Sequence, residues 1–277
     1  MASRILLVVF TLCLSLEIFA QKKSFTVFQL NIWHEGTVVP KGYDAIMNEI
    51  LDKDADVVML CEVNNQNGVD FVAKLINDLK AKGKQYYGRS SEQSVDVATL
   101  SKYPILAQRT LYEKENRQGQ VLKTKIEIFN HPVVFYSVHL DYTNYACYLP
   151  RGYDGATWKK MEKPITDPQQ ILIANRKSKR DEAIRDIITD ARQEESKHSI
   201  IIAGDFNEPS HLDWVEDNKH MYDRRGAVVP WDCSVMLYGA GYRDAFRFHY
   251  PNPTTHPGFT YPSFNKDAPI EKLTWAP

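Results

Sequence analysis

A carboxylate and an amide follow a short apolar run in the stretch "IIAGDFNEPS", residues 201–210. Residues 200–203 include no polar side chain, which predicts a strand that is covered on both faces. If strand geometry continues beyond Gly204, the side chains of Asp205 and Asn207 lie on the same side of the chain. Such a pair could act on a phosphate, although an Asx turn that closes a strand is the commoner origin of an isolated Asp-x-Asn.

Three other predicted strands also end in polar side chains, and these are Asn31, Glu62, and His139 with Asp141. Ligands of α/β sheets bind at the carboxyl ends of neighbouring strands, so four such endings together predict one site. Carboxylates, amides and an imidazole suit a hydrated magnesium ion that one or two carboxylates hold beside a phosphate. Simpler explanations exist for each residue taken alone. Glu62 could be a capping or surface carboxylate, His139 a core histidine, and Asn31 a turn residue.

The connections between the predicted strands, which position these residues, change from helices to turns along the chain. Helices link the first predicted strands, whereas turns link the later ones, so the sequence predicts an α/β protein with mixed sheets. The predicted strands are 25–33, 56–61, 95–100, 105–111, 121–129, 133–140 and 200–203, and the predicted helices are 43–51, 69–79 and 169–192.

Residues 141–168 have no clear period and contain many Tyr, Gly and Pro residues. Long segments of this kind in compact domains are usually functional or disordered, and the aromatic content favours an ordered wall. Asp141, Tyr145 and Arg151 are suitably placed to belong to a wall that faces substrate. A solvated loop explains these three residues almost as well.

The first twenty residues have the layout of a secretory signal peptide. A basic residue precedes the apolar run 5–16, and a small-residue cleavage site precedes Gln21. Residues 1–20 are therefore predicted to be removed, which leaves a secreted domain of residues 21–277. A short uncleaved anchor is the alternative, but Glu17 interrupts the apolar run where a membrane span would continue. The mature chain offers no other membrane candidate.

The cysteines matter because the cell exterior permits disulfide formation. Cys61 follows an apolar run and is predicted to be a buried free thiol. Cys147 and Cys233 fall in loop-like segments and are predicted to form a disulfide. The sequence has no CxxC motif and no Cys/His cluster, which argues against a structural zinc site.

Net charge bears on the class of partner. The chain has 277 residues and a formal net charge of -1. Nonspecific nucleic-acid binding depends on many Lys and Arg contacts to phosphates, and this composition has no such excess. Long DNA stays open as a substrate but gains no support from the charge.

Five sequence blocks occur in the order "LNIW", "VVMLCEVN", "VATLSKYPI", "FYSVHLDY" and "IIAGDFNEPS", followed by "GYRDAFR" and "HPGFTY". This ordered set resembles the motif blocks of the endonuclease/exonuclease/phosphatase superfamily, which includes deoxyribonuclease I and the neutral sphingomyelinases. The resemblance runs from about residue 25 to the end of the chain. It implies a sandwich of two mixed β-sheets flanked by helices, with the site at one end.

The resemblance also implies a role for each residue at a strand end. Glu62 matches the family's metal-binding glutamate and Asn31 the amide beside that metal, which implies Mg²⁺, or Mn²⁺ in its place, as the cofactor. His139 matches the first active-site histidine, and Asp205 with Asn207 matches the GDxN block. Asp205 would position or activate water, while the other two donate hydrogen bonds to phosphoryl oxygens. The residues predicted to contact substrate are Asn31, Asn207 and Asp141.

The last two blocks of the superfamily have no counterpart in the sequence. An Arg-Ile-Asp strand and a Ser-Asp-His ending are expected after "HPGFTY", whereas the chain ends with "EKLTWAP". His249 and His256 lie upstream of the expected histidine, so neither is assigned its role. We therefore expect a domain that is truncated at its C-terminus, with an uncovered sheet edge.

Two functions remain open on these grounds. The first is a secreted, magnesium-dependent phosphoester hydrolase, for which the charge and the aromatic segment favour a small or lipid-headgroup phosphodiester over nucleic acid. The second is a secreted, noncatalytic protein that binds a phosphate ligand, or an inactive truncated product. The sequence carries no signal for the oligomeric state.

Overall fold

A computed structural model describes residues 23–90, 95–111 and 119–261. Within these residues the chain forms seven strands and six α-helices. The strands are β1 Val27–Asn31, β2 Val57–Cys61, β3 Val97–Ser101, β4 Ile105–Thr110, β5 Gly119–Ile128, β6 His131–Leu140 and β7 Ser199–Asp205. The helices are α1 Gly42–Lys53, α2 Phe71–Ala81, α3 Pro168–Asn175, α4 Arg180–Ala191, α5 Asp232–Gly239 and α6 Ala245–His249.

The strands form two mixed sheets. The first has the order β1-β2-β3, in which β1 runs parallel to β2 and β3 runs antiparallel to it. The second has the order β4-β5-β6-β7, in which β4 to β6 are antiparallel neighbours and β7 runs parallel to β6. A helix must connect parallel neighbours, whereas a turn suffices for antiparallel ones. The change from helices to turns along the sequence therefore predicted the mixed sheets correctly.

The two sheets pack face to face through an apolar layer. Met59 of β2 lies in one buried cluster with Ile126 of β5 and Phe135 of β6. Helices α1 and α2 pack on the outer face of the first sheet, and α4 and α5 pack on the outer face of the second. Complete burial of a side chain such as Met59 contributes about 1.5–3 kcal/mol to stability. The result is the helix-flanked sandwich that the superfamily resemblance implied.

The helix predicted over residues 169–192 is instead two helices, α3 and α4. Asn175 ends α3 and Arg180 begins α4, and the Ser178 hydroxyl donates to the backbone carbonyl of Asn175 at 2.8 Å between them. Asn175 and Arg180 are buried and bound to each other. Apolar spacing did not reveal the break, because the side chains that shape it are polar. Helix α5 was not predicted.

The strand at residues 200–203 is more exposed than the sequence predicted. It lies in β7, at the edge of the second sheet, and Ile200, Ile201 and Ile202 are only partly buried. An apolar run shows that a strand packs against the core, but it does not show whether a neighbouring strand lies on both sides. β1 is likewise an edge strand, in the first sheet.

The predicted signal peptide, residues 1–20, lies outside the described residues, as do residues 262–277. None of the helices in the described ranges has both the length and the apolar composition of a membrane span.

The predicted disulfide between Cys147 and Cys233 is absent from the structure. In the described part of the chain, Cys61, Cys147 and Cys233 are all buried free thiols, which confirms the prediction for Cys61. Cys147 packs with Trp214 and Trp231, whereas Cys233 lies at the start of α5 and packs towards α4. Burial raises the pKa of Cys147 to about 11 and also raises that of Cys233. The pairing was expected from segments that looked like exposed loops, but both segments are buried turns of helix.

Candidate active site

The side-chain amide of Asn31 joins two carboxylates at one end of the sandwich. Its Nδ2 donates to Glu62 Oε1 at 2.9 Å and to Asp205 Oδ2 at 3.0 Å. Asn31 ends β1, Glu62 follows β2, and Asp205 ends β7, so these hydrogen bonds connect the two sheets. Three of the residues predicted from strand endings therefore meet at one point.

Backbone groups hold Glu62 in place from the neighbouring loop. Its Oε2 accepts from the backbone N–H of His34 at 2.8 Å, and its own backbone is left-handed, with φ 69°. Glu35 is buried and accepts from the backbone N–H of Asn65 at 2.6 Å, which ties the loop after β1 to the loop after β2. Left-handed conformations of ordinary residues are costly and gather at functional sites. No sequence pattern indicates a role for His34 or Glu35 beyond their position after "LNIW".

Gly204 brings β7 close to β6 immediately before Asp205. Its φ is +151°, and a Cβ atom at this position would lie 1.8 Å from a backbone carbonyl oxygen of β6. After this glycine, Asp205 Oδ1 accepts from the backbone N–H of Asn207 at 2.9 Å, and Asn207 Nδ2 donates to the Leu140 carbonyl at 2.9 Å. The Asx turn considered for this motif is therefore present, and the second oxygen of Asp205 still faces Asn31.

His139 lies opposite Asp205 in the parallel register of β6 and β7. Its Nδ1 is 2.8 Å from Oδ2 of Asp96, which leaves Nε2 as the ring nitrogen for a substrate contact. Burial lowers the pKa of His139, but the hydrogen bond and charge of Asp96, with smaller contributions from Asp205 and Glu62, outweigh burial and raise it. Sequence analysis missed Asp96, although a carboxylate inside the apolar run 95–100 was a possible signal.

We expect Asp96→Asn to lower the pKa of His139 in metal-free protein. The asparagine keeps the size of the side chain but removes the charge that opposes the effect of burial, so the ring loses its proton at lower pH. NMR titration of the His139 ring measures the shift. Asp52→Asn, at a side chain that is 74% exposed, is the matched control and should leave the midpoint unchanged. An unchanged midpoint in Asp96→Asn would contradict the assigned pairing.

Asp141 shapes the loop that follows β6. Its carboxylate accepts from the backbone N–H and the hydroxyl of Thr143, at 2.9 and 2.8 Å, and from the backbone N–H of Lys179 at 3.3 Å. These bonds fix the turn in front of the candidate site. Contact of Asp141 with substrate stays a prediction.

The aromatic segment after Asp141 is an ordered wall, as predicted. The ring centroids of Tyr145, Tyr148 and Trp158 lie 5.1–6.0 Å from one another. Burial raises the pKa of Tyr145, and the neighbouring Cys147 and Tyr148 add to the effect. Arg151 is buried beneath this wall, with its guanidinium 6.0 Å from the ring of Trp214.

Glu62 and Asp205 fit the requirements of a divalent cation. Both carboxylates lie within 3.0 Å of one amide nitrogen, so two negative charges converge where a cation would relieve their repulsion. The described residues contain no group of three or more His, Cys, Asp or Glu arranged to hold a metal. Mg²⁺ keeps several waters and needs only one or two carboxylates beside a substrate phosphate, so this pair suits it.

Asn31 is the other residue predicted to bind the metal. Its amide nitrogen donates to both carboxylates, and its Oδ1 accepts from the backbone N–H of Trp33 at 2.9 Å. The second lone pair of this oxygen is not used by that bond, so metal binding by Asn31 stays a prediction. In this structure Asn31 orients Glu62 and Asp205.

Two histidines near the end of the described chain, His249 and His256, are exposed. His249 contacts Phe248, and the ring of His256 stacks on Tyr250 with centroids 4.9 Å apart. Asp244 caps the N-terminus of α6, where its side chain accepts from the backbone N–H of Arg247 at 2.9 Å.

Comparison with known proteins identified a matching family and a relative. The sequence model of the Endonuclease/Exonuclease/phosphatase family matches residues 28–266. An uncharacterized protein of Caenorhabditis elegans, F14F9.5, is 27% identical over 256 residues, which are 91% of this chain and 74% of that protein.

Three solved structures have a backbone fold similar to that of this chain. A β-hairpin deletion mutant of beta toxin from Staphylococcus aureus is 17% identical, with a TM-score of 0.45, and 83% of each chain is covered. TDP2 of D. rerio, complexed with a single-strand DNA product, is 11% identical with a TM-score of 0.44, covering 80% of this chain and 66% of that one. TDP2 from C. elegans is 14% identical with a TM-score of 0.45, covering 67% of this chain and 48% of that one. The chain thus spans less than two thirds of these TDP2 chains.

Proposed function

The chain belongs to the endonuclease/exonuclease/phosphatase family, and from that premise we propose that it is a secreted, magnesium-dependent phosphodiesterase. The observation that carries the proposal is the hydrogen bonding of Asn31 to both Glu62 and Asp205. It brings a cation-binding carboxylate next to a carboxylate that can activate water. His139 lies opposite Asp205 in the same sheet register and supplies an imidazole.

Each group has a separate task in the proposed hydrolysis. Asp205 accepts a proton from the attacking water as the water oxygen bonds to phosphorus, while the ester P–O bond opposite the water breaks and the departing oxygen takes a proton from solvent. One N–H of the Asn207 amide is bound to the Leu140 carbonyl, and the other donates to a phosphoryl oxygen. His139, whose pKa Asp96 raises, donates a second hydrogen bond as charge develops there. Glu62 and Asp205 would hold a divalent cation, which would neutralise charge on the phosphate.

The proposed substrate is a small or lipid-headgroup phosphodiester. A net charge of -1 supports this over a long nucleic acid, whose tight binding draws on many basic side chains. Trp158, which packs on the buried rings of Tyr145 and Tyr148 and is itself exposed, offers an apolar surface for the group attached to the phosphate. Nucleic acid remains the competing substrate in the test.

We expect the purified chain to hydrolyse bis(p-nitrophenyl) phosphate with Mg²⁺ or Mn²⁺ and to lose this activity in EDTA. Asp205→Asn removes the proton acceptor and should lower turnover by about 10²-fold or more, which also controls for a contaminating enzyme. Parallel assays with phosphocholine-lipid vesicles and supercoiled plasmid compare the two substrate classes. Cation binding without turnover of any diester would refute the enzyme and favour a noncatalytic phosphate-binding protein.

Secretion is tested separately from activity. The proposed signal peptide predicts that the protein accumulates in the medium of expressing cells with an N-terminus at Gln21. N-terminal mass spectrometry of the medium and of the cell fraction decides this point. Retention of the whole chain with its first twenty residues would contradict it.

A further inference from the structure

A buried ion pair, Arg180 with Glu208, lies directly behind the candidate site. Both side chains are fully enclosed, with an exposed fraction of 0%, and Arg180 Nε is 3.6 Å from Glu208 Oε2. Glu208 follows Asn207 in the chain and accepts from Asn175 Nδ2 at 2.6 Å and from the Cys233 backbone N–H at 2.7 Å. This pair is therefore joined to α3, α5 and the end of β7.

Arg180 directs its hydrogen bonds to the loop that follows β6. Its Nη1 donates to the carbonyls of Asp141 and Thr143, at 2.7 and 2.8 Å. Its Nη2 donates to the carbonyl of Asn144 at 3.1 Å and to Asn175 Oδ1 at 2.7 Å. One guanidinium thus holds three carbonyls within four consecutive residues. A carbonyl that is shielded from water and loses its donor is destabilised, so the shape of this loop depends on Arg180.

The same loop connects groups of the candidate site. It begins after Leu140, whose carbonyl accepts from Asn207, and it leads to Tyr145, whose ring packs with those of Tyr148 and Trp158. A shift of residues 141–144 would move Leu140 at one end of the loop and Tyr145 at the other. Displacement of about 1 Å at a reacting group can lower a rate by about 10²-fold.

We propose that Arg180 is a positioning residue, which holds residues 141–145 against the candidate site while Glu208 balances its charge. The inference rests on the proposed function, because it concerns the geometry of the same site. A purely stabilising role is the competing explanation. A buried ion pair is weak evidence of such a role, since well-packed apolar residues stabilise a fold equally well. Stability alone does not require that three donor contacts fall on one loop.

The test separates loop positioning from fold stability with three variants, of which Arg180→Met alone leaves the charge of Glu208 unpaired. Arg180→Lys keeps the charge opposite Glu208, but one ammonium with three protons cannot reproduce the fork that reaches all four acceptors. The double variant Arg180→Met with Glu208→Gln removes both charges together, so no buried charge is left unpaired. Arg185→Lys, at an exposed position of α4 that pairs with Asp181, is the control.

Three quantities are measured in magnesium: kcat and KM for bis(p-nitrophenyl) phosphate, the melting temperature, and hydrogen exchange of residues 141–158. We expect kcat to fall about 10-fold or more in Arg180→Lys and in the double variant, with KM less affected and faster exchange in residues 141–145. The melting temperature should be lower in Arg180→Met alone and should recover in the double variant, whereas kcat should not recover. The control should match the wild type in all three.

Two results would overturn the inference. One is recovery of kcat together with melting temperature in the double variant, which would show that the pair acts through stability. The other is unchanged hydrogen exchange of residues 141–145 in Arg180→Lys and in the double variant. If wild-type protein hydrolyses no phosphodiester, the proposed function fails, and the exchange measurement alone then decides whether Arg180 holds the loop.

Discussion

Glu62→Gln should remove nearly all magnesium-dependent hydrolysis while the protein remains folded. Glutamine has the size of glutamate but lacks the negative charge that binds a hard cation. Loss of a residue that merely supports a metal ligand costs about 10- to 100-fold in affinity or activity, so loss of the ligand charge should cost at least about 10²-fold. Steady-state rates over a range of Mg²⁺ concentrations measure the effect.

A melting experiment tests the same substitution without relying on activity. Mg²⁺ that binds only the folded state raises the melting temperature of the wild type, and Glu62→Gln should lack most of this rise. In EDTA the two proteins should melt at similar temperatures. The variant weakens one of the hydrogen bonds from Asn31 and His34, at a cost of about 1 kcal/mol, but it also relieves repulsion between Glu62 and Asp205.

Glu49→Gln is the matched control, because its side chain lies on the exposed surface of α1 and is 56% exposed. It makes the same chemical change far from the strand ends and should alter neither the rate nor the response to Mg²⁺. An equal magnesium response in Glu62→Gln and wild type would show that Glu62 does not hold the cation.

The candidate site was predictable where a sequence rule determines position. Parallel strands bring their carboxyl ends to one edge, and Asn31 and Glu62 follow β1 and β2, which are parallel neighbours. His139 and Asp205 face each other for the same reason in β6 and β7. Apolar runs located these strands, so the polar residues that follow the runs located the site.

Partners that come from elsewhere in the chain were not predictable in this way. Asp96 lies 43 residues before His139 and joins it only because β3 and β6 belong to sheets that face each other. Arg180 is fully buried in α4, although charged side chains of helices usually lie on the solvated face. Its burial follows from four acceptors supplied by the loop after β6 and by Asn175, which no local pattern reveals.

The cysteine prediction failed for a related reason. A segment rich in Tyr, Gly and Pro looks like an exposed loop, yet residues 146–151 are buried against Trp214 and Trp231. Their short helical turn packs through aromatic side chains that have no strand or helix period. Sequence periodicity detects burial in regular elements, so it misses burial that irregular segments acquire by folding onto the core.

Gly204→Ala should be the most damaging single change in the described part of β7, although it adds only one methyl group. The Cβ atom would lie 1.8 Å from the Val138 carbonyl oxygen, and the φ of +151° is rarely adopted by residues with a side chain. Since the contact is with backbone on both sides, the clash can be relieved only if β7 moves away from β6.

Separation of the strands would affect stability and activity through different residues. Loss of close packing should lower the free energy of unfolding by about 3 kcal/mol or more, because overpacking of a rigid site costs at least this much when neither side can yield. Movement of β7 also displaces Asp205 from Asn31 and from its register opposite His139, so turnover should fall even where the variant is fully folded. Urea unfolding gives the first quantity, and rates measured at a temperature where circular dichroism shows a folded protein give the second.

Gly239→Ala is the control, because Gly239 ends α5 with no atom within 4 Å of an added Cβ and should gain slightly in stability. If Gly204→Ala behaves like Gly239→Ala, then β6 and β7 do not approach closely at this point, and the placement of Asp205 beside Asn31 loses its structural cause.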